Sequence, residues 1–534
     1  MNTGSMCIVA PKPLSSLMLR GHAVVSCLCL VAVAVNATCL AVHSGRALQT
    51  PAPGPREASS TAARTGVDPP WVFHPRAARS SFLRRWLARL ASKLPRSRDL
   101  SEDELSSVPQ SIVNLVKNIA GAGMLSLPSG VAAFSGSPKA LVPSVALALL
   151  LAVLGAYSFV LIAHACTVTR RSTYQDAWSD LVSSKTRWVI SCCCFINSYL
   201  VCVCFQMVIG DCLAMSLRPL EFPAVLTSRR AIIFALTITA LWPLCRLRSF
   251  QPLARFSVLG VLANACICCQ MFIRSVDGSY GSHGAFAQSA PIQPRFEAAA
   301  GGAWSTIADM RFTVLLSMLS QATTAHFNAP MFYFQLAPDS HGDRSDRFVL
   351  VSLVGFVASG LIMAFCMATG FLTFGLSSHG LILNSYAPTD PLAAASRVAI
   401  AISLTTAFPL VFLSVRQHLG SLLELRGLGQ LAKKTDAITC WLLASTTGLA
   451  LLFSDLGKVI AFGGAISAIF ITYVAPATMA LCARFKPSHH QYGRRLPPPG
   501  TSSWLQNAGS ALQVLLIVFG IAMAAIGAIE TLRS

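Results

Sequence analysis

Long apolar runs constrain this chain more than any other feature of its sequence. Eleven runs of about 20 apolar residues follow one another from residue 110 to the end, and each is long enough to cross a bilayer as a helix. The runs are continuous and do not alternate apolar with polar residues, which favours helices over barrel strands. The sequence therefore predicts an all-α integral membrane protein with spans at roughly 111–134, 139–168, 188–216, 229–246, 253–274, 309–336, 347–375, 393–416, 436–455, 458–483 and 507–530.

The composition excludes several other classes. Of 534 residues, 54% are hydrophobic and only 12% are charged, about half the charged share of a soluble globular chain. A soluble enzyme, a disordered chain and a disulfide-bonded miniprotein are excluded. The net charge of +20 does not indicate a nucleic-acid partner. More than half of it lies before residue 99, and the rest falls in short loops, where it orients the spans.

The N-terminal extension has two parts. Residues 1–45 contain an apolar run after Lys12 and Arg20, as in a signal sequence or a membrane anchor. Residues 46–109 are rich in Arg, Ser and Pro, a composition typical of a transit peptide or a mostly disordered tail. Three interpretations stay open: a cytosolic tail with an extra anchor, a signal sequence, or a two-part organelle presequence. The membrane domain is predicted at 110–534.

The basic residues of the loops predict an orientation. Alternate loops hold seventeen Lys and Arg residues on one side of the membrane and about nine on the other. Basic residues are enriched in cytoplasmic loops, so the segment before the first span is predicted to be cytosolic. An odd number of eleven spans then places the C-terminus on the opposite side.

The first span contains residues that a continuous helix does not favour. It reads SIVNLVKNIAGAGMLSLPSG, in which Lys117 and Asn118 are followed by Gly121, Gly123 and Pro128. Glycine weakens a helix and proline removes a backbone donor. A break inside a bilayer is tolerated where it lines a cavity, so a broken helix is predicted here.

The sixth span repeats this pattern. It reads MLSQATTAHFNAPMFYF, and its polar residues and proline crowd one segment. Two interrupted spans five apart are the expected sign of two inverted five-helix repeats whose half-helices meet near the membrane midplane. The alternative is close helix packing through small residues. The residues concerned are Gln321, Thr323, Thr324, His326, Asn328 and Pro330.

Individual polar residues in the spans are candidate ion-coupling sites. A lysine inside a span is costly and is read as functional by default, so Lys117 could act as a fixed cation in place of sodium. It could also extend to the cytosolic interface. His326 could relay protons or hold the backbone structurally. Thr405 and Thr406 precede Pro409 and could contribute to an ion site or bond freed carbonyls.

Motifs of other chemistries are missing from the sequence. It has no P-loop, no GxSxG and no HExxH. The cysteines lie mostly within apolar runs without zinc-ligand spacing. We expect no enzyme, no metal site and no cofactor.

The ordered set of motifs resembles the amino acid/auxin permease family. The first-helix signature matches Asn114-Leu115-Val116-Lys117 and Gly121-Ala122-Gly123-Met124-Leu125-Ser126-Leu127-Pro128, and the sixth-helix signature matches His326-Phe327-Asn328-Ala329-Pro330. The resemblance covers about 110–485. It implies eleven helices in the leucine-transporter-like 5+5 inverted-repeat fold plus one extra helix, and secondary active transport of amino acids.

The resemblance also bears on coupling. Sodium-coupled relatives have an asparagine where this chain has Lys117, whereas proton-coupled relatives have lysine there. The match favours proton coupling or sodium independence, with sodium as the less favoured ion. Some proton-coupled relatives have a histidine where this chain has Asn114, which leaves the proton carrier open.

We therefore predict a transporter of small, neutral amino acids that works by alternating access. The alternative is an amino-acid sensor that signals with little flux. The bilayer is a predicted partner, and the membrane is the plasma membrane, a vacuolar or other endomembrane, or a plastid membrane. Predicted substrate-binding residues are Gly121, Ala122, Gly123, Gln321, Thr323, Thr324 and Asn328, and predicted coupling residues are Lys117, Asn118, His326, Thr405 and Thr406.

Overall fold

A computed structural model describes residues 105–220, 223, 228–246, 257–298, 301–339, 343–432, 434–485 and 503–533. Within these ranges the regular structure is helical, apart from two isolated β-bridges. The predicted signal-like segment 1–45 and all but the last five residues of 46–109 lie outside the described residues.

Seventeen α-helices occur within the described ranges, several of them joined end to end through short 3₁₀ or π turns. They are α1 (Val108–Ile119), α2 (Leu127–Ala132), α3 (Leu141–Thr169), α4 (Tyr174–Leu181), α5 (Arg187–Leu217), α6 (Arg229–Leu236), α7 (Trp242–Cys245), α8 (Ser257–Val276), α9 (Phe312–Ala322), α10 (Ala329–Gln335), α11 (Ser345–Phe374), α12 (Pro391–Leu425), α13 (Gly429–Ala432), α14 (Thr435–Leu452), α15 (Leu456–Gly463), α16 (Ala475–Phe485) and α17 (Ser503–Arg533).

Seven of the helical segments in the described ranges are long and apolar enough to cross a membrane. They coincide with the second, third, seventh, eighth, ninth, tenth and eleventh predicted spans. Two shorter apolar helices, Ala122–Ala132 and Gly260–Val276, fall within the first and fifth predicted spans. The multi-pass helical architecture is thus confirmed, while the count of eleven stays a prediction.

The pair Gly463 and Gly464 allows two helices to pack closely. A Cβ at Gly464 would overlap the backbone carbonyl of Ser317 in α9, and one at Gly463 would lie 3.1 Å from Leu200 Cδ1 of α5. Only glycine permits the approach at residue 464. These contacts fix α15 against α9, which is one half of the interrupted sixth span.

A buried ion pair joins one end of α8 to the start of α12. Arg274 donates to both carboxylate oxygens of Asp390 at 2.9 and 2.7 Å, and the Tyr280 hydroxyl donates to Asp390 at 2.9 Å. Asp390 also caps α12 by accepting from the amides of Leu392 and Ala393. The carboxylate is completely buried, and its charge is balanced by these donors.

A second buried cation lies one to two turns further along α12. Arg397 is fully buried and donates to the carbonyl oxygens of Leu383, Tyr386 and Ala387 at 2.7 to 3.2 Å. These carbonyls belong to the loop between α11 and α12. The guanidinium therefore fixes that loop on the end of the helix bundle.

Candidate functional site

The first predicted span is interrupted at residues 120–121, here called break 1. Ala120 leaves the helix after α1, and Gly121 is extended, with φ −133° and ψ −154°. A 3₁₀ turn, Ala122–Ser126, follows and leads into α2, which has Pro128 in its first turn. No side chain caps this turn. The first amides of such a turn have no acceptor within it, so they are available to an anion.

The carbonyl side of break 1 is held by a neighbouring helix. The Asn264 side-chain amide of α8 donates to the Ala120 carbonyl at 2.6 Å. This bond satisfies a carbonyl that the interruption would otherwise leave without a partner in an apolar environment. The polar residue of α8 thus stabilises the opened backbone.

The second interruption lies at residues 323–325, here called break 2. The α9 helix ends with the Thr323 and Thr324 hydroxyls donating to the carbonyls of Leu319 and Ser320. A short 3₁₀ turn, His326–Asn328, then leads into α10, which has Pro330 in its first turn. The carbonyls of the last turn of α9 accept from the backbone and hydroxyls of Thr323 and Thr324, and this end of α9 carries the negative end of the helix dipole.

The two breaks lie against each other. A Cβ built on Gly123 would lie 3.1 Å from both the Cα and the Cβ of Ala322, the last residue of α9. A Cβ built on Gly121 would meet no atom within 4 Å. The start of the 3₁₀ turn after break 1 therefore adjoins the end of α9, with open space beside Gly121.

The predicted polar residues of the sixth span take different positions around break 2. Gln321 accepts from the Asn197 side-chain amide of α5 at 3.1 Å. Thr323 is 2% exposed and its hydroxyl bonds back to its own helix, while Thr324 lies 3.3 Å from the Thr472 hydroxyl. Asn328 is partly exposed. Gln321 and Thr324 therefore link α9 to α5 and to the π-helical segment before α16.

His326 is completely buried behind break 2. Its Nε2 lies 3.1 Å from the Gly155 carbonyl oxygen and 2.9 Å from the Ser158 Oγ, both on α3, and its Nδ1 lies 3.4 Å from the Thr472 Oγ1. A carbonyl oxygen only accepts, so the network assigns the ring proton to Nε2. The neutral imidazole thus holds the start of α10 against α3.

Lys117 lies in the last turn of α1 and is half-buried between two other helices. A Cβ at Gly260 of α8 would be 3.6 Å from the Lys117 Cε and 3.3 Å from the Ser403 Oγ of α12. The lysine stem and this serine therefore face the same glycine. Asn118, although adjacent in sequence, is exposed.

Thr405 and Thr406 lie one turn before Pro409 in α12, which continues through the proline. The Thr405 hydroxyl donates to the Ala401 carbonyl at 2.7 Å, and the Thr406 hydroxyl donates to the Ser403 carbonyl at 2.8 Å. Both hydroxyls keep acceptor lone pairs. Ser403, which faces Gly260 together with Lys117, lies within one turn of both threonines in α12.

Four polar residues of the site were not singled out from the sequence. Each is a hydroxyl or amide inside a helical segment, and each bonds a predicted residue or break 1 or, for Ser403, faces the same glycine as Lys117. The sequence could have indicated the two asparagines, because an asparagine side chain inside an apolar run costs free energy unless it is hydrogen-bonded. The residues are Asn197, Asn264, Ser403 and Thr472.

Comparisons with known proteins identify the family of this chain. A sequence model of a family described as "Transmembrane amino acid transporter protein" matches residues 104–531. The chain is similar to a putative sodium-coupled neutral amino acid transporter 11 of Danio rerio, with 25% identity over 72% of this chain and 81% of the relative. It is also similar to vacuolar amino acid transporter 2 of Saccharomyces cerevisiae, with 24% identity over 70% of this chain and 76% of the relative.

Similarity to solved structures is weaker. The chain aligns with the crystal structure of MhsT in complex with L-phenylalanine at a TM-score of 0.48 and 14% identity, covering 81% of this chain and 100% of that chain. The inward-facing conformation of Mhp1 aligns at a TM-score of 0.44 and 13% identity, covering 82% and 95%.

Proposed function

The chain belongs to the transmembrane amino acid transporter family, and we propose that it carries small, neutral amino acids across its membrane by alternating access. It is a multi-pass membrane protein whose relatives are named as transporters and not as enzymes. The contact between the two breaks, with Gly123 against Ala322 and open space at Gly121, is the observation that carries the proposal.

We propose eleven spanning helices in two inverted repeats of five, plus one. Support comes from the matching order of features in the first and sixth spans. Each has a helix, an interruption, a 3₁₀ turn and a second helix with proline in its first turn. Broken helices at corresponding positions of two halves are typical of a transporter binding site at the repeat interface.

The proposed substrate site uses the charges of the backbone. The substrate carboxylate binds the free amides at Ala122 and Gly123, which form the positive end of the helical segment after break 1. The substrate ammonium binds carbonyls at the end of α9. The open space beside Gly121 accommodates a small side chain. Gln321, Thr324 and Asn328 then complete the polar lining.

Proton coupling, or sodium independence, is proposed from the position of Lys117. Its side chain extends from α1 toward α8 and α12, where it faces Gly260 of α8 together with Ser403 of α12. A lysine ammonium there supplies the positive charge that a sodium ion would otherwise supply, and its proton can be taken up and released. The name of the Danio rerio relative makes sodium the alternative coupling ion.

The cellular membrane in which the protein resides is the subject of a separate proposal. The yeast relative is named as vacuolar, which supports an endomembrane. The plasma membrane is the alternative, and the composition of residues 1–98 is also compatible with an organelle presequence. Imaging a tagged full-length chain beside one lacking residues 1–98 tests this. An identical location for both would contradict a targeting role of the extension.

Uptake by the purified chain in proteoliposomes tests the proposed function. We expect radiolabelled glycine, alanine, serine or glutamine to accumulate when a pH gradient is imposed without sodium. Binding without uptake would assign the protein to the sensor class. Uptake that requires sodium and ignores the pH gradient would overturn the coupling proposal while leaving transport intact.

A further inference from the structure

We propose that a surface cavity distant from the two breaks binds the phosphate group of an anionic lipid. The cavity measures about 370 Å³ and lies where the end of α3 meets the end of α10 and the start of α11. Its lining combines two cations, three hydroxyls and two aromatic rings, and contains no acidic residue. The lining residues are Cys166, Thr167, Arg170, Ser172, Tyr333, Phe334 and Arg344.

A hydrogen bond to the backbone fixes the orientation of the Arg344 side chain. Its Nε donates to the Leu336 carbonyl at 2.7 Å, directly after the end of α10. Within the part of the chain that the structure describes, its two terminal nitrogens have no protein acceptor. A guanidinium fixed at Nε with both terminal nitrogens available matches the fork geometry with which arginine binds phosphate.

Arg170 provides the second cation, and its backbone adopts a conformation that is unfavourable for residues other than glycine. It is the single non-glycine residue with positive φ among the described residues, with φ 56° and ψ 33° at the C-terminus of α3. The amides of Arg170 and Arg171 close the helix on the carbonyls of Thr167 and Cys166, a position that glycine favours. An arginine in a left-handed conformation is strained relative to glycine, which points to a role for its side chain.

Apolar surface beside the cavity favours a lipid over a free anion. Val168 of α3, Phe334 of α10, and Val349 and Leu350 of α11 are all exposed and flank the cations within one or two turns. The α3 and α11 helices are among those long and apolar enough to span the membrane. A headgroup between the arginines would leave its acyl chains on this surface. Basic pockets between spanning helices are sites of this kind.

A bound lipid would link α10 to the neighbouring helices α3 and α11. Because α10 is the second half of the interrupted sixth span, a phosphate bridging Arg170 and Arg344 links the half-helix after break 2 to the end of α3. The same end of α10 is already paired with the segment before α1, since Ser106 and Leu336 form a β-bridge. The lipid therefore strengthens an existing connection between both broken helices.

Thermal stability of the full-length chain in detergent tests the proposal. The melting temperature is titrated with phosphatidylglycerol, with phosphatidylcholine of the same acyl chains, and with inorganic phosphate. We expect phosphatidylglycerol to raise the melting temperature and phosphatidylcholine to do so much less. An equal shift from inorganic phosphate at the same concentration would overturn the assignment to a lipid.

Two variants and one matched control locate the site. Arg170→Gly removes the cation while relieving the left-handed backbone, and Arg344→Gln keeps a donor for the Leu336 carbonyl. Each is expected to weaken the phosphatidylglycerol effect about tenfold, through loss of one charge-assisted contact. Arg171→Gln removes a neighbouring cation that pairs with Asp180 at 2.7 Å outside the cavity, and it should change nothing. Unaltered titrations for both cavity variants, or an equal loss in Arg171→Gln, would overturn the proposal.

Discussion

Gly123 lies so close to Ala322 that a Cβ added to it would be 3.1 Å from two atoms of the alanine. This contact brings the amide end of one half-helix to the carbonyl end of another. The start of the turn carries a partial positive charge and the end of α9 a partial negative one, the two charges that a zwitterionic ligand requires. The account of substrate binding depends on this contact and on the free volume beside Gly121.

Alanine substitutions at the two glycines should have different effects. Gly123→Ala forces the breaks apart by a few tenths of an ångström, so we expect loss of uptake together with a lower melting temperature. Gly121→Ala meets no atom within 4 Å and needs no positive φ, so folding should be preserved. Its methyl group occupies the proposed substrate space and should raise KM, most for larger amino acids. Equal effects of both variants on stability would contradict this reading.

Replacement of Lys117 should change coupling. Lys117→Asn removes the fixed charge beside Ser403, so uptake should lose its response to a pH gradient and gain dependence on sodium. Lys139→Gln is the matched control, because Lys139 is an exposed lysine that bonds the Gly301 carbonyl at 3.2 Å. Uptake assays across both gradients measure the change. If Lys117→Asn transports normally without gaining sodium dependence, the lysine only extends to the interface.

Replacement of His326 should affect stability more than coupling. His326→Ala removes the imidazole bonds to the Gly155 carbonyl and to the Ser158 and Thr472 hydroxyls and creates a cavity in the protein interior. A cost of about 2 to 4 kcal/mol in the free energy of unfolding is expected. His326→Gln keeps a donor and should lose less. Chemical denaturation in detergent measures both. A His326→Gln protein with normal stability whose uptake ignores pH would instead identify a proton carrier.

Asp390→Asn should destabilise the protein strongly. The change removes the bidentate anion of Arg274, which keeps its pair with Asp277 at 2.6 Å, and weakens the cap of α12. Breaking a buried pair costs about 3 to 5 kcal/mol where the remaining charge has no other partner, so this range is an upper bound for the variant. Asp180→Asn, which breaks the largely exposed pair with Arg171, should leave the unfolding free energy unchanged within error. Similar small effects for the two variants would show that the Asp390 pair contributes little.

The two interruptions could be predicted from local sequence, because glycine and proline act on their own backbone. Their positions could not be read from proline alone. Pro128 and Pro330 each lie in the first turn of the second half-helix, several residues after the actual break. Proline is tolerated at a helix start, so it marks where the helix resumes.

Long-range pairs could not be predicted. Arg274 and Asp390 are separated by 116 residues, and their contact depends on how α8 and α12 pack. Ser403 resembles any hydroxyl inside a span, and only its position beside Gly260 of α8, which Lys117 also faces, brings the two residues together. Residue spacing along a helix gives its faces, whereas the choice of neighbour for each face comes from the tertiary arrangement.

The most direct test of the central claim is an experimental structure of the full chain in a lipid nanodisc with bound L-alanine. We predict ligand density beside Gly121, with the carboxylate about 3 Å from the amides after break 1 and the ammonium facing the carbonyls at the end of α9. Density at another position, with both breaks unoccupied at saturating L-alanine, would contradict the account.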